Sequence, residues 1–424
     1  MDSEVILGRQ PIVDTTGSLV AFELLFRSHA QSGEAGLARP DDLHASSHVI
    51  ARVLADIGVV ASLGSFTGYV NVDRALLMSE MVELLPPGRF VLEILETTEI
   101  DPALGQRISE LRARGYRFAL DDVIAAADAR LDSLALVDVV KIDLVQQEVS
   151  QWQALARQLK PSGKTLLAEK VETPEQFRLA KEAGFDLFQG FFFAKPQILH
   201  SRRIPSSAHE VIRLIAMLET DPDIDAVAHE LGRHPALLKP ILRQVNSSAA
   251  GLRQRIDSIA TAIALVGLRQ IARLAQLMLY ADGDGPPARS DPLVQQVGLR
   301  ARMMELLAGC WRPDEARLGD RAFLTGVLSR LDVLFDMSLE QAVSELPLAG
   351  NVRDALVERA GPLGRLLSIC EARERADLSA LEGLCRVMGD IDIGQTARAE
   401  IEAAAWMMEQ TDPPARREGR RAVG

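Results

Sequence analysis

Short apolar runs, each closed by a polar residue, recur through the first 200 residues of the chain. Val5 to Val13 and Leu19 to Phe26 flank DTTGS, whose Asp and Gly favour a turn, so an antiparallel opening pair is expected. Six further runs follow: Gly68 to Val72, Phe90 to Ile94, Phe118 to Leu120, Val137 to Ile142, Thr165 to Val171 and Leu187 to Phe193. Helical spacing is expected in Asp42 to Ile57, Arg74 to Leu85, Ala103 to Arg114, Gln151 to Gln158 and Pro174 to Ala183. Runs rich in Val, Ile, Leu and Phe, separated by helix-length segments, read as buried parallel strands joined by crossovers. Eight strands in this order predict a TIM-like α/β barrel over residues 1–200, near the lower length limit of about 200 residues for that fold.

The pattern then changes. SRRIPSS at 201–207 is polar and holds Pro205, which suits a linker. From 208 to 412 apolar residues fall at i, i+3 and i+4, which predicts an all-α helical domain. The tail at 413–424, PPARREGRRAVG, carries prolines and arginines and reads as a solvated disordered end.

Composition narrows the class. At 424 residues two domains are expected, and 47% hydrophobic with 25% charged residues is globular. A net charge of −12 argues against a nucleic-acid partner or an anionic membrane. Cys310, Cys370 and Cys385 show no metal or CxxC spacing, and the start MDSEVILGRQP lacks a leader pattern; no apolar run nears the ~18 residues of a membrane span. A reduced cytoplasmic setting fits.

Candidate chemistry sits at the ends of the apolar runs. Glu23 is the only acid in its run, and a lone buried carboxylate costs several kcal/mol unless paired, for instance with Arg27, or metal-bound. Glu23, Asn71, Glu93, Asp121, Asp122, Asp143 and Glu169 offer mostly oxygen donors, with Lys141 as the nearest cation. In a barrel such strand ends meet on one rim. Oxygen donors without Cys or His select magnesium or manganese, the ions that assist phosphoryl chemistry.

These residues resemble the EAL domain, the cyclic di-GMP phosphodiesterase module. The carriers are RQPI (9–12), ELLFR (23–27), Asn71, LEILE (92–96), Asp121-Asp122, KID (141–143), AEKVE (168–172) and FQGFFF (188–193). The resemblance implies Glu23, Asn71, Glu93 and Asp121 as ligands of a first Mg2+ or Mn2+ and Asp122 as ligand of a second. It implies Lys141 and Asp143 as positioners of the water and Glu169 as the general base, with Gln10, Arg27 and Gln189 holding the dinucleotide. In the helical half, DPDID, HPALLKPILRQVNSSA and SIATAIALVG resemble the HDOD domain over Pro205 to Leu279, followed by runs similar to the C-terminal extension of EAL-HDOD signalling proteins. No His-Asp dipeptide occurs, so no metal site is expected there. A protein partner through the HDOD part is implied, and a homodimer is left open.

Three motifs depart from the EAL pattern. The acid pair is followed by VIAAADA where the family has a glycine-containing loop, the family's Glu-Gly-Val-Glu is Glu169-Lys170-Val171-Glu172, and its Glu-x-Thr-Glu is Glu93-Ile94-Leu95-Glu96. Glycine reaches positive φ freely and alanine does not, so Val123 to Asp128 is expected to reposition the chain and weaken catalysis. Three readings stay open: a phosphodiesterase giving linear pGpG, a catalytically inactive cyclic di-GMP receptor, and a protein-protein scaffold in signal transduction.

Overall fold

The computed structural model describes residues 5–28, 63–190, 223–232, 267–278 and, apart from a few single positions, 290–411, with isolated positions besides. The expected helix at 42–57, the linker at 201–207, the end of the last strand at 191–193 and the tail at 413–424 lie outside the described residues.

Eight strands close a barrel in sequence order. They are β1 Val5–Asp14, β2 Leu19–Ser28, β3 Thr67–Val72, β4 Phe90–Ile94, β5 Arg117–Val123, β6 Val139–Asp143, β7 Thr165–Glu169 and β8 Leu187–Gln189. β1 runs antiparallel to both β2 and β8, while all other neighbours are parallel, so the opening pair and the barrel are as the pattern predicts. At the closure, Val171 donates its N–H to the Gln189 carbonyl at 2.9 Å. A side chain at Gly190 would collide with the Val171 backbone, so glycine is needed at that approach.

Helices α1 Arg74–Met78, α2 Pro102–Ala113, α3 Val149–Leu159 and α4 Pro174–Ala183 cover the barrel. α4 has the predicted bounds because Thr173 caps its start in a reciprocal box with Gln176 and Gly184 ends it in the left-handed region. One segment differs from expectation. Arg74 to Leu85 breaks at Ser79, whose hydroxyl takes the Met81 N–H and donates to the Leu76 carbonyl, competing with the helix ladder. The β5–β6 crossover is not an α-helix: Ala129–Leu136 forms kinked 3-10 turns.

The second half consists of helices among the described residues: α5 Ile224–Gly232, α6 Leu268–Leu277, α7 Pro292–Trp311, α8 Ala316–Leu328 and α9 Leu331–Phe335. They continue as α10 Leu339–Ser344, α11 Gly350–Glu358, α12 Gly361–Glu374, α13 Leu378–Met388 and α14 Ile393–Thr411. Their apolar faces share one core built on Val297, Met304, Phe323, Leu366 and Met407. α14 also returns to the barrel, where Met408 joins the layer between strands and helices and packs where any side chain on Gly64 would stand. No helix among the described residues is long and apolar enough to cross a membrane.

Candidate active site at the mouth of the barrel

Strand periodicity builds the site. The barrel interior holds one apolar layer with a residue from each strand: Ile12, Ala21, Tyr69, Val91, Ala119, Val139, Leu167 and Leu187. Side chains two apart on a strand share a face. Two residues on, or two back for antiparallel β1, the same face carries Gln10, Glu23, Asn71, Glu93, Asp121, Lys141, Glu169 and Gln189. An apolar plug thus supports a polar ring to which every strand contributes.

The ring is unbalanced in charge. Lys141, fully buried, places Nζ 2.6 Å from Glu93 Oε1, 2.6 Å from Asp121 Oδ1, 2.9 Å from Glu169 Oε1 and 3.7 Å from Glu23 Oε1. One ammonium therefore faces four carboxylates. Burial alone would lower the Lys141 pKa, but the acids outweigh it and hold the group well above its ordinary value. Burial raises Glu93 well above the carboxylate range, with Lys141 offsetting only part of the cost. Burial likewise pushes Glu169 up to about 8, against the pull of Lys141.

Several buried atoms in the ring have no hydrogen-bond partner: Asn71 Oδ1, Glu93 Oε2, Glu169 Oε2 and Gln189 Oε1. Asn71 spends its amide N–H on Glu23 Oε1 at 3.2 Å, and Gln189 donates to Glu23 Oε2. Unsatisfied buried acceptors are costly, and here all are oxygens. Glu23, Asn71, Glu93 and Asp121 fit a hard divalent cation in both donor type and missing positive charge.

A second cluster lies beside the ring. β5 bulges between Leu120 and Val123, and Asp122 takes the left-handed conformation, φ 47°. The bulge breaks strand alternation, so adjacent Asp121 and Asp122 both reach the rim, where they lie close to the Glu96 carboxylate. Burial and the neighbouring Asp121 raise the Asp122 pKa. Asp143, whose side chain is wholly buried, accepts from the N–H groups of Val145 at 2.7 Å and Gln146 at 3.2 Å and from the Lys170 ammonium. Burial opposes that charge, yet the Lys170 and backbone hydrogen bonds keep the Asp143 pKa low.

The segment after the acid pair is not helical, although its alanines favour helix. Val123 completes β5 in the core, and Asp128 closes a turn onto the Ala125 carbonyl at 3.2 Å. Asp128 also grips the buried Arg130, which donates to the Asp121 carbonyl at 2.9 Å and the Ile94 carbonyl at 3.3 Å. The glycine-free loop is therefore tied to the backbone of a ring residue.

Of the residues singled out from sequence, Glu23, Asn71, Glu93, Asp121, Lys141, Glu169 and Gln189 converge, with Asp122 and Asp143 alongside. Gln10 is half-buried opposite Glu23 in the β1–β2 register. Arg27 pairs with Ile6 on the same ribbon, and its side chain lies outside the described residues. Sequence reasoning passed over Lys170, Glu96 and Arg130. The substitution in Glu169-Lys170-Val171-Glu172 was the available signal for the first; Arg130 left none.

The family model for the EAL domain matches residues 2–196, and that for the HDOD domain matches 203–351. The second match runs well past Leu279, so the segment at 324–348, which resembled an extension, lies inside it. Cyclic di-GMP phosphodiesterase CdgJ of Vibrio cholerae is 32% identical, covering 94% of this chain and 91% of its own. YuxH of Bacillus subtilis is 30% identical over 95% of this chain and 98% of its own. Among solved structures, the Bacillus subtilis YkuI protein, with an EAL domain, in complex with substrate c-di-GMP and calcium, is 22% identical, covers 61% of this chain and 72% of that one, and gives a TM-score of 0.38. With the barrel, the helical half and both matches in this order, the chain belongs to the EAL-HDOD family.

Proposed function

We propose that this chain is a bacterial, cytoplasmic cyclic di-GMP signalling protein whose barrel hydrolyses the dinucleotide to linear pGpG with Mg2+ or Mn2+. The supporting observation is the ring itself, where among the described residues Lys141 alone is the cation facing Glu23, Glu93, Asp121 and Glu169. Its relative CdgJ is named for that activity. Glu23, Asn71, Glu93 and Asp121 would hold the ion, with Asp122 beside them. A bound divalent ion neutralises phosphoryl charge and makes water a better nucleophile. Glu169, a buried carboxyl raised toward neutral pH, is placed to take the proton from attacking water, and Lys141 at 2.9 Å stabilises its ionised form. Asp143 fixes the β6 loop from within. Gln10, Arg27 and Gln189 contact the dinucleotide, the unpaired Gln189 Oε1 serving as an acceptor for a base edge.

A second reading, a receptor that binds without turnover, is favoured by Lys170, whose ammonium already neutralises Asp143. In both readings the HDOD half contacts a protein partner. The two are separated by incubating the purified chain with cyclic di-GMP and Mn2+ and quantifying binding and pGpG. Loss of turnover in Glu23→Ala and Glu169→Ala supports the hydrolase; unchanged turnover in either removes the assignment.

A further inference from the structure

Lys170 stands immediately after β7 with φ 54°, a left-handed conformation that L residues other than glycine adopt rarely. Continued strand geometry would send the residue after Glu169 to the opposite face of the sheet. The left-handed turn swings it back, and its ammonium ion-pairs with Asp143 and lies 3.5 Å from Asp122 Oδ1. Among the described residues no other cation is ion-paired to either acid. Backbone strain is thus sustained where it delivers one positive charge to two acids with which Lys141 does not pair.

We propose, on the footing of the metal-dependent reading above, that Lys170 is a built-in cation that replaces a second divalent ion, so that the chain holds one ion and not two. Charge accounts for it. Asp122, which with Asp121 and Glu96 offers carboxylate oxygens for a second ion, has the Lys170 ammonium 3.5 Å from its Oδ1, and a cation held there by Asp143 repels another at close range. The ring around Glu23, Asn71, Glu93 and Asp121 keeps its unmatched acceptors and stays open to the first ion. Lys170 acts here as a positioning charge and touches no reacting atom.

The test is metal stoichiometry of the full chain, by equilibrium dialysis against Mn2+ with elemental analysis and by electron paramagnetic resonance. Wild type and Lys170→Arg should bind one Mn2+ per chain and give an isolated-ion spectrum. Lys170→Met should bind two and give the spectrum of a spin-coupled pair. Lys170→Gly, which suits the backbone conformation, should do the same and guards against misfolding of the methionine variant. Two ions in wild type would overturn the proposal. One ion in wild type and in both uncharged variants would overturn the role of Lys170 while leaving the metal reading intact. No bound ion in any of the four proteins would overturn both.

Discussion

Two buried arginines in the helical half are each hydrogen-bonded to a carboxylate. Arg300 places Nε 2.7 Å from Glu374 Oε1 and Nη1 2.7 Å from Ser329 Oγ, and Arg373 holds Glu400 at 2.7 Å with Thr396 at 3.1 Å. In the barrel one lysine serves four acids, and acceptors are left over. Matched buried pairs are closed arrangements that hold helices in register. An unmatched cluster costs the fold free energy and persists where a ligand completes it. The contrast supports the proposed site in the barrel without any reference to sequence similarity.

The largest expected effect is on chemistry. Glu169→Gln keeps the shape of the ring and removes the base, so turnover of cyclic di-GMP should fall by about 10²–10⁴-fold, with binding changed far less. Steady-state pGpG formation beside equilibrium binding checks this. An equal loss in both would make Glu169 a binding group.

Next come paired substitutions aimed at the comparison itself. Glu374→Gln should cost roughly 1–3 kcal/mol in denaturant unfolding, because the buried Arg300 loses the charge of its partly exposed partner. Glu93→Gln, measured with chelator, should cost nothing or stabilise, since Lys141 retains Asp121 and Glu169. Equal losses at the two sites would erase the distinction between them.

pH should separate the halves further. Glu169 has its folded pKa raised from 4.5 to about 8 by burial, so the folded state holds its proton longer than the unfolded one. Metal-free stability from this group is therefore highest below about 4.5 and falls as pH rises through 8. Glu374 is the reverse: burial opposes its charge, but Arg300 holds its pKa below the ordinary value. Its contribution is present above the unfolded pKa and is lost as pH falls through the folded one. Melting with chelator across pH 5 to about 8.5 should show a decline that Glu169→Gln flattens and Glu374→Gln does not.

The smallest effect belongs to the support around the ring. Arg130→Ala frees the Asp121 backbone and should weaken Mn2+ affinity by about 10–100-fold. Titration calorimetry reads it directly, and unchanged affinity would show that the loop does not position the ligands.

Most of this architecture could be read from the chain. β6, Val139–Asp143, was legible because a strand buried on both faces leaves an apolar run, here broken by Lys141 and closed by Asp143. The ring residues were legible as the polar positions inside such runs. What sequence could not show was direction set by single dihedrals. The left-handed Asp122 brings both acids of the pair to the rim, and the left-handed Lys170 turns an apparently outward residue into the partner of Asp143. Nor does the sequence show the form of the β5–β6 crossover, where Arg130 is drawn inward by two backbone carbonyls and Ala129–Leu136 tightens into 3-10 turns.

Completed by a divalent ion, the unbalanced ring is proposed to hydrolyse the dinucleotide. The most direct measurement is pGpG release by the purified chain from cyclic di-GMP, with Mn2+ and with chelator. Product with Mn2+ that vanishes on chelation and in Glu23→Ala is the predicted result. A chain that binds Mn2+ and cyclic di-GMP together and releases no pGpG would contradict it.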